Sequence, residues 1–130
     1  MKNILVVDDN KLIAEGLALR IAVLVKDAYV HTAANGREAI AFLESTPVDV
    51  VVTDLQMPVM NGFELIDYCR KSKPDVSLYA MSGNADPEVA ERLSRSGVFG
   101  PVEKPFDFDE VAYRIKDALS PRTRLTELIT

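Results

Sequence analysis

Short runs of β-branched and apolar residues recur along the chain, each followed by a longer segment with apolar positions at helical spacing. Residues 3–7 (NILVV) predict a first strand, and 11–26 a helix with Leu12, Ile13, Leu17, Ile21, Leu24 and Val25 inward. Residues 28–33 predict a second strand, and Asn35-Gly36 opens a helix over 36–45 with Ala39, Ile40 and Leu43 as its stripe. The run VDVVVTD (48–54) is the most continuous apolar segment, as expected of a strand buried on both faces. A loop containing Pro58 leads to a helix over 62–72, and 77–81 reads as a fourth strand. Asp86-Pro87 starts a helix that runs to about Arg95, combining a capping carboxylate with proline at the first helical position. Residues 98–103 are a weaker strand, interrupted by Gly100 and Pro101, before a last helix over 108–119 that buries Val111, Ile115 and Leu119.

Five strands alternating with five helices imply parallel βαβ units, right-handed crossovers and helices on both faces of the sheet. Residues 120–130 (SPRTRLTELIT) are either a linker or a short added helix.

Composition narrows the function. A chain of 130 residues with 48% apolar content is large enough for one domain with a core that needs no disulfide or structural metal. The formal charge of −5 argues against binding nucleic acid by phosphate neutralisation. The single cysteine, Cys69, lies in a helical run with no histidine or second cysteine at ligand spacing and reads as a packed thiol. No secretory leader or membrane-length apolar run is present, so the expectation is a cytoplasmic protein with no membrane partner.

The polar residues gather at the strands' C-terminal ends: Asp8 and Asp9 after the first, Asp54 after the third, Ser82 after the fourth, Lys104 after the fifth. Open parallel sheets bind ligands at that edge. Any one of these could cap a helix, but Asp54 and Lys104 follow apolar strands and precede no obvious helix. Close carboxylates repel, at about 4 kcal/mol for a pair 4 Å apart in an effective dielectric of 20. A divalent cation relieves that cost, and oxygen ligands without histidine or cysteine suit Mg²⁺. With a lysine and a hydroxyl added, the rim could hold a phosphoryl group, and Asp54 could attack it to form an acyl phosphate.

The segments VVDDN, VVTDLQMPVMNG, MSG and EKPF, in this order and spacing, resemble the receiver domain of bacterial two-component response regulators over residues 3 to about 119. The resemblance implies a flavodoxin-like, doubly wound α/β fold, with a five-stranded parallel sheet in the order 2-1-3-4-5. It makes residues 1–119 the receiver domain and 120–130 a tail. It implies that Asp54 is the phosphoacceptor, with a histidine kinase or phosphotransfer protein as donor. Asp9 would bind Mg²⁺ directly, Asp8 largely through water, and the Gln56 backbone carbonyl would complete the set. Ser82 and Lys104 would hold phosphoryl oxygens, the Lys104-Pro105 peptide would be cis, and Gly62 would supply positive φ in the loop after the acceptor.

Some positions depart from the pattern or leave the output open. Three residues before Lys104, where similar receivers carry a switching tyrosine or phenylalanine, this chain has Pro101. Phe99, two residues earlier, faces the same side of a regular strand, so the aromatic half of the switch is expected to be missing or rewired. Gln56 and Asn84, two residues past Asp54 and Ser82, are neither acids nor bases, and no built-in base for fast hydrolysis is expected. His31 lies on the second strand away from the rim and reads as a surface or packed imidazole. The surface of the fourth helix, fifth strand and fifth helix, with Arg92, Arg95, Arg114 and Lys116, is the expected face for a downstream protein or a homodimer. The chain is either a complete single-domain regulator or the N-terminal part of a larger one. Among rivals, a Mg²⁺-dependent aspartyl phosphatase would place a second acid where Gln56 stands, and the nucleotide-loop motifs are absent. A phosphorylation-independent pseudo-receiver would lack one of the acids or the lysine.

Overall fold

Alternation of strand and helix signals resolves, in a computed structural model that describes residues 1–83 and 86–119, into ten elements. They are β1 (Lys2–Val7), α1 (Lys11–Leu24), β2 (Ala28–Ala33), α2 (Gly36–Ser45), β3 (Val50–Asp54), α3 (Gly62–Ser72), β4 (Ser77–Ser82), α4 (Pro87–Arg95), β5 (Val98–Glu103) and α5 (Phe108–Ala118). The strands form one parallel sheet in the order β2-β1-β3-β4-β5, a flavodoxin-like α/β architecture. The expected tail, 120–130, and Asn84 lie outside the described residues.

Two-residue periodicity divides the central strands between two apolar layers. Leu5, Val7, Val51, Leu78 and Ala80 pack with Leu43 of α2, Leu65, Ile66 and Cys69 of α3, and Leu93 of α4. Ile4, Val6, Val50, Val52, Tyr79 and Met81 pack with Leu17 and Ile21 of α1 and Val111, Ala112 and Ile115 of α5. All of β3 is buried, which explains its unbroken apolar reading.

Each helix start is fixed by a side-chain oxygen that accepts a backbone N–H: Asn10, Asn35, Asn61, Asp86 and Asp107. The inner face of α1 differs from expectation. Leu12 is 81% exposed, and Ala14, Leu17 and Ile21 make the buried stripe. Leu12, Leu19 and Val23 lie on the solvent side, so α1 is apolar nearly all round and its sequence alone does not phase it.

The fifth strand is also less regular than alternation assumes. Tyr79 pairs with Phe99 and Met81 with Val102, so Gly100 and Pro101 together face Ala80 in a bulge. Gly100 takes φ +129°, and a Cβ there would come within 2.5 Å of the Ala80 carbonyl oxygen. The Gly100–Pro101 peptide is cis, as is Lys104–Pro105. Phe99 and Pro101 therefore do not stand on one face of a regular strand.

Candidate functional site

Strands β1 and β3 are neighbours where the winding of the sheet reverses, since β2 lies on the far side of β1. Asp8 follows β1 and Asp54 ends β3, so both carboxylates reach the crevice at that reversal. One oxygen from each of Asp8, Asp9 and Asp54 lies within 4.8 Å of the others, with Asp8 and Asp54 buried and Asp9 exposed.

Helix capping does not account for these acids. Asn10 caps α1, accepting the Leu12 and Ile13 N–H groups at 3.0 and 3.3 Å, while Asp8 Oδ1 accepts the Asn10 N–H at 2.8 Å. Asn61, not Asp54, caps α3. Asp54 Oδ1 instead accepts the Gln56 N–H at 3.3 Å.

Lys104 supplies the countercharge from the loop after β5. Its Nζ donates to Asp8 Oδ2 at 2.8 Å and stands 3.3 Å from Asp54 Oδ2. Its backbone N–H donates to the Ser82 carbonyl at 2.8 Å, which ties the end of β4 to the lysine. Ser82 itself is buried. Burial pushes the Asp54 carboxyl above its ordinary range, the Asp8 charge adds to that, and the Gln56 N–H and Lys104 oppose it. For Lys104, burial acts to lower the ammonium, but the hydrogen bond to Asp8 and the charges of Asp54 and Asp8 outweigh it and hold the group above its usual value.

Three carboxyl groups thus gather against a single ammonium in the crevice. The donors are all hard oxygens, with no histidine or thiol among them, the ligand chemistry that suits a Mg²⁺ ion keeping part of its water.

Gly62 is needed for a different reason from the one expected. Its φ is not positive; a Cβ there would lie 2.4 Å from the Asp54 carbonyl oxygen and 2.7 Å from Leu55 Cα. The positive φ in this loop falls instead on Val59, at +73°. No residue pattern pointed to Val59. The caps Asn35 and Asn61, in contrast, were readable from the glutamate three residues after each.

The other candidates lie away from the crevice. Phe99 is half-exposed, its ring 5.4 Å from that of Tyr79 and 4.8 Å from the Arg114 guanidinium. His31 is packed against Phe42 at 4.6 Å, with Nε2 3.3 Å from Asn3 Oδ1. Cys69 is buried, and burial pushes its thiol up to about 11. Among the described residues, no helix is long and apolar enough to cross a membrane.

The family profile described as "Response regulator receiver domain" matches residues 4–116. The sensor kinase CckA of Brucella abortus is 38% identical over 92 residues, covering 69% of this chain and 10% of that protein. The response regulator receiver protein Anae109_2439 of Anaeromyxobacter sp. is 33% identical over 107 residues, covering 81% of this chain and 43% of that protein. The chain thus spans less than half the length of either relative. Among solved structures, the chemotaxis protein CheY4 of Vibrio cholerae is 28% identical with a TM-score of 0.81, covering 92% of this chain and 99% of that one.

Proposed function

Since the chain belongs to the response regulator receiver domain family of two-component systems, a family of signalling modules that interact with histidine kinases, we propose that Asp54 is its phosphoacceptor. The observation that carries this reading is the placing of one buried carboxylate, Asp54, beside Lys104 and within reach of two further acids. An Asp54 oxygen attacks the phosphorus of a phosphohistidine, an O–P bond forms as the N–P bond breaks, and the imidazole leaves with the electron pair. Lys104 moves from bridging Asp8 and Asp54 to hold a phosphoryl oxygen, and Ser82 takes another. Asp8, Asp9, Asp54 and the Gln56 carbonyl would hold Mg²⁺, which supplies charge neutralisation for the incoming phosphoryl oxygens. The receiver unit is residues 1–119, and it catalyses only its own phosphoryl transfer and dephosphorylation.

The output is a change in protein contacts on the face of α4, β5 and α5. A hollow of about 760 Å³ lines this face, bordered by Phe99, Pro101, Glu103 and Arg114 among others. With Pro101 at the usual aromatic position, Phe99 and its Tyr79 and Arg114 neighbours carry the signal to a downstream protein or a second copy. We place the protein in the cytoplasm, where its phosphohistidine donor would be.

Intact mass after incubation with acetyl phosphate and Mg²⁺ tests the assignment. Wild type is expected to gain one labile phosphoryl mass, and Asp54→Asn, or wild type in EDTA, none. A wild type left unmodified by acetyl phosphate and by phosphorylated kinases would make the chain a phosphorylation-independent binding module.

A further inference from the structure

Val59 is unfavourable in two ways at once. Its φ of +73° lies in the left-handed region, which β-branched residues rarely enter. Its apolar side chain is 69% exposed. The Met60 N–H donates to the Pro58 carbonyl at 2.8 Å, so Val59 is the centre of a three-residue turn, in the rarer and strained form that positive φ defines.

The loop around it is anchored on both sides. Met57 is buried in the layer beneath α2 and α3. Met60 lies so close over Gly36 that a Cβ there would come within 2.7 Å of its Cγ. The Gly62 N–H closes the loop on the Leu55 carbonyl at 3.1 Å. Pro58 and Val59 are left as the exposed tip. Glycine would suit this backbone and a polar residue would suit this exposure, and the valine side chain adds nothing to the core. The tip is also held in register with the acceptor, because the same loop gives Asp54 the Gln56 N–H and places Gly62 against the Asp54 carbonyl.

We propose that Val59 is a specificity-determining residue for phosphoryl transfer, packing against an apolar position of the protein that presents the phosphohistidine. This rests on the phosphoacceptor reading above. A protein donor must cover the mouth of the crevice to bring its phosphohistidine to Asp54, and the fixed turn presents an exposed apolar side chain on the loop that leaves that carboxylate. A small acyl phosphate reaches the same carboxylate without touching it.

The test compares two donors on wild type, Val59→Ile, Val59→Asn and Val59→Gly, each shown to be folded by its urea midpoint. One donor is acetyl phosphate with Mg²⁺. The other is whichever member of a panel of autophosphorylated histidine kinases and phosphotransfer proteins modifies wild type fastest. With acetyl phosphate all four are expected within about twofold of each other. With the protein donor below saturation, Val59→Ile keeps the wild-type rate and Val59→Asn and Val59→Gly fall about tenfold, as loss of one buried apolar side chain predicts. Equal losses with both donors would reduce Val59 to a residue that positions Asp54, and no loss with either would make it a tolerated turn residue. Both results overturn the proposal. A wild type that no donor modifies overturns the acceptor reading and this inference with it.

Discussion

Lys104 Nζ lies 2.8 Å from Asp8 Oδ2, although 96 residues separate the two in the chain. Asp8 is fully buried at its side chain and the lysine mostly so. The lysine's second carboxylate, Asp54 at 3.3 Å, is the one proposed to take a phosphoryl group. One cation therefore both holds the crevice together and stands beside the proposed acceptor.

Lys104→Met removes that cation and leaves the carboxylates facing one another. Stripping one partner from a buried ion pair costs roughly 3–5 kcal/mol. Because the lysine is partly exposed, a loss near the lower end, about 3 kcal/mol, is expected in EDTA. Millimolar Mg²⁺ should restore a larger share of stability to this variant than to wild type, as read by urea midpoints with and without the ion.

Asp54→Asn is expected to stabilise the metal-free protein at neutral pH. Asp54 is a buried acid whose carboxyl is raised in the folded state, so the native protein binds its proton more tightly than the unfolded chain does. Stability therefore falls as pH rises from the unfolded carboxylate value, about 3.9, through the raised folded value. Asparagine has no such penalty. Urea midpoints from pH 4 to 7 in EDTA should show the variant's advantage growing with pH, and Mg²⁺ should reduce it by stabilising the ionised wild type.

The elements are legible in the sequence to within a few residues because their periods differ: continuous for β3, helical for α2 and α5. The rim acids and Lys104 were legible for a related reason, since parallel topology sends every strand's C-terminal end to one edge. What escaped depends on contacts distant in sequence. Leu12 reads as core because α1 is apolar nearly all round, and only the sheet decides which side is covered. A loop containing Gly62 invites positive φ at the glycine, but close approach to Asp54 requires the glycine and Val59 takes the strained conformation. The bulge at Gly100 and Pro101 depends on pairing with β4, which residue identities in β5 alone do not specify.

Two glycines flanking the crevice should respond very differently to alanine. At Gly62 the added methyl would stand 2.4 Å from the Asp54 carbonyl oxygen, a backbone atom that cannot swing aside. At exposed Gly83 the nearest heavy atom is Gln56 Oε1 at 3.8 Å. Gly62→Ala is expected to lose about 1–3 kcal/mol and to slow acetyl phosphate labelling by moving Asp54. Gly83→Ala should remain within about 0.5 kcal/mol of wild type. Equal urea midpoints for the two variants would show that the loop yields freely and that the close approach is not what requires glycine.

Arg70 joins the end of α3 to the turn between α4 and β5. Its guanidinium donates to the carbonyls of Ser96 at 2.7 Å, Gly97 at 3.0 Å, Val76 at 3.2 Å and Pro74 at 3.3 Å. These acceptors close the segment leading into β4 and the one leading into β5, so one side chain fixes the approach to both strands. Lysine cannot match that fork with a single ammonium. Arg70→Lys is therefore expected to lose about 1.5–3 kcal/mol, the range for hydrogen bonds to a charged group. The loss should be local as well as global: amide exchange at Gly97 and Val98 should speed up more than at Val51 or Val52 in the fully buried β3. Uniform acceleration across the sheet would show that Arg70 contributes only to overall stability and does not hold the turn.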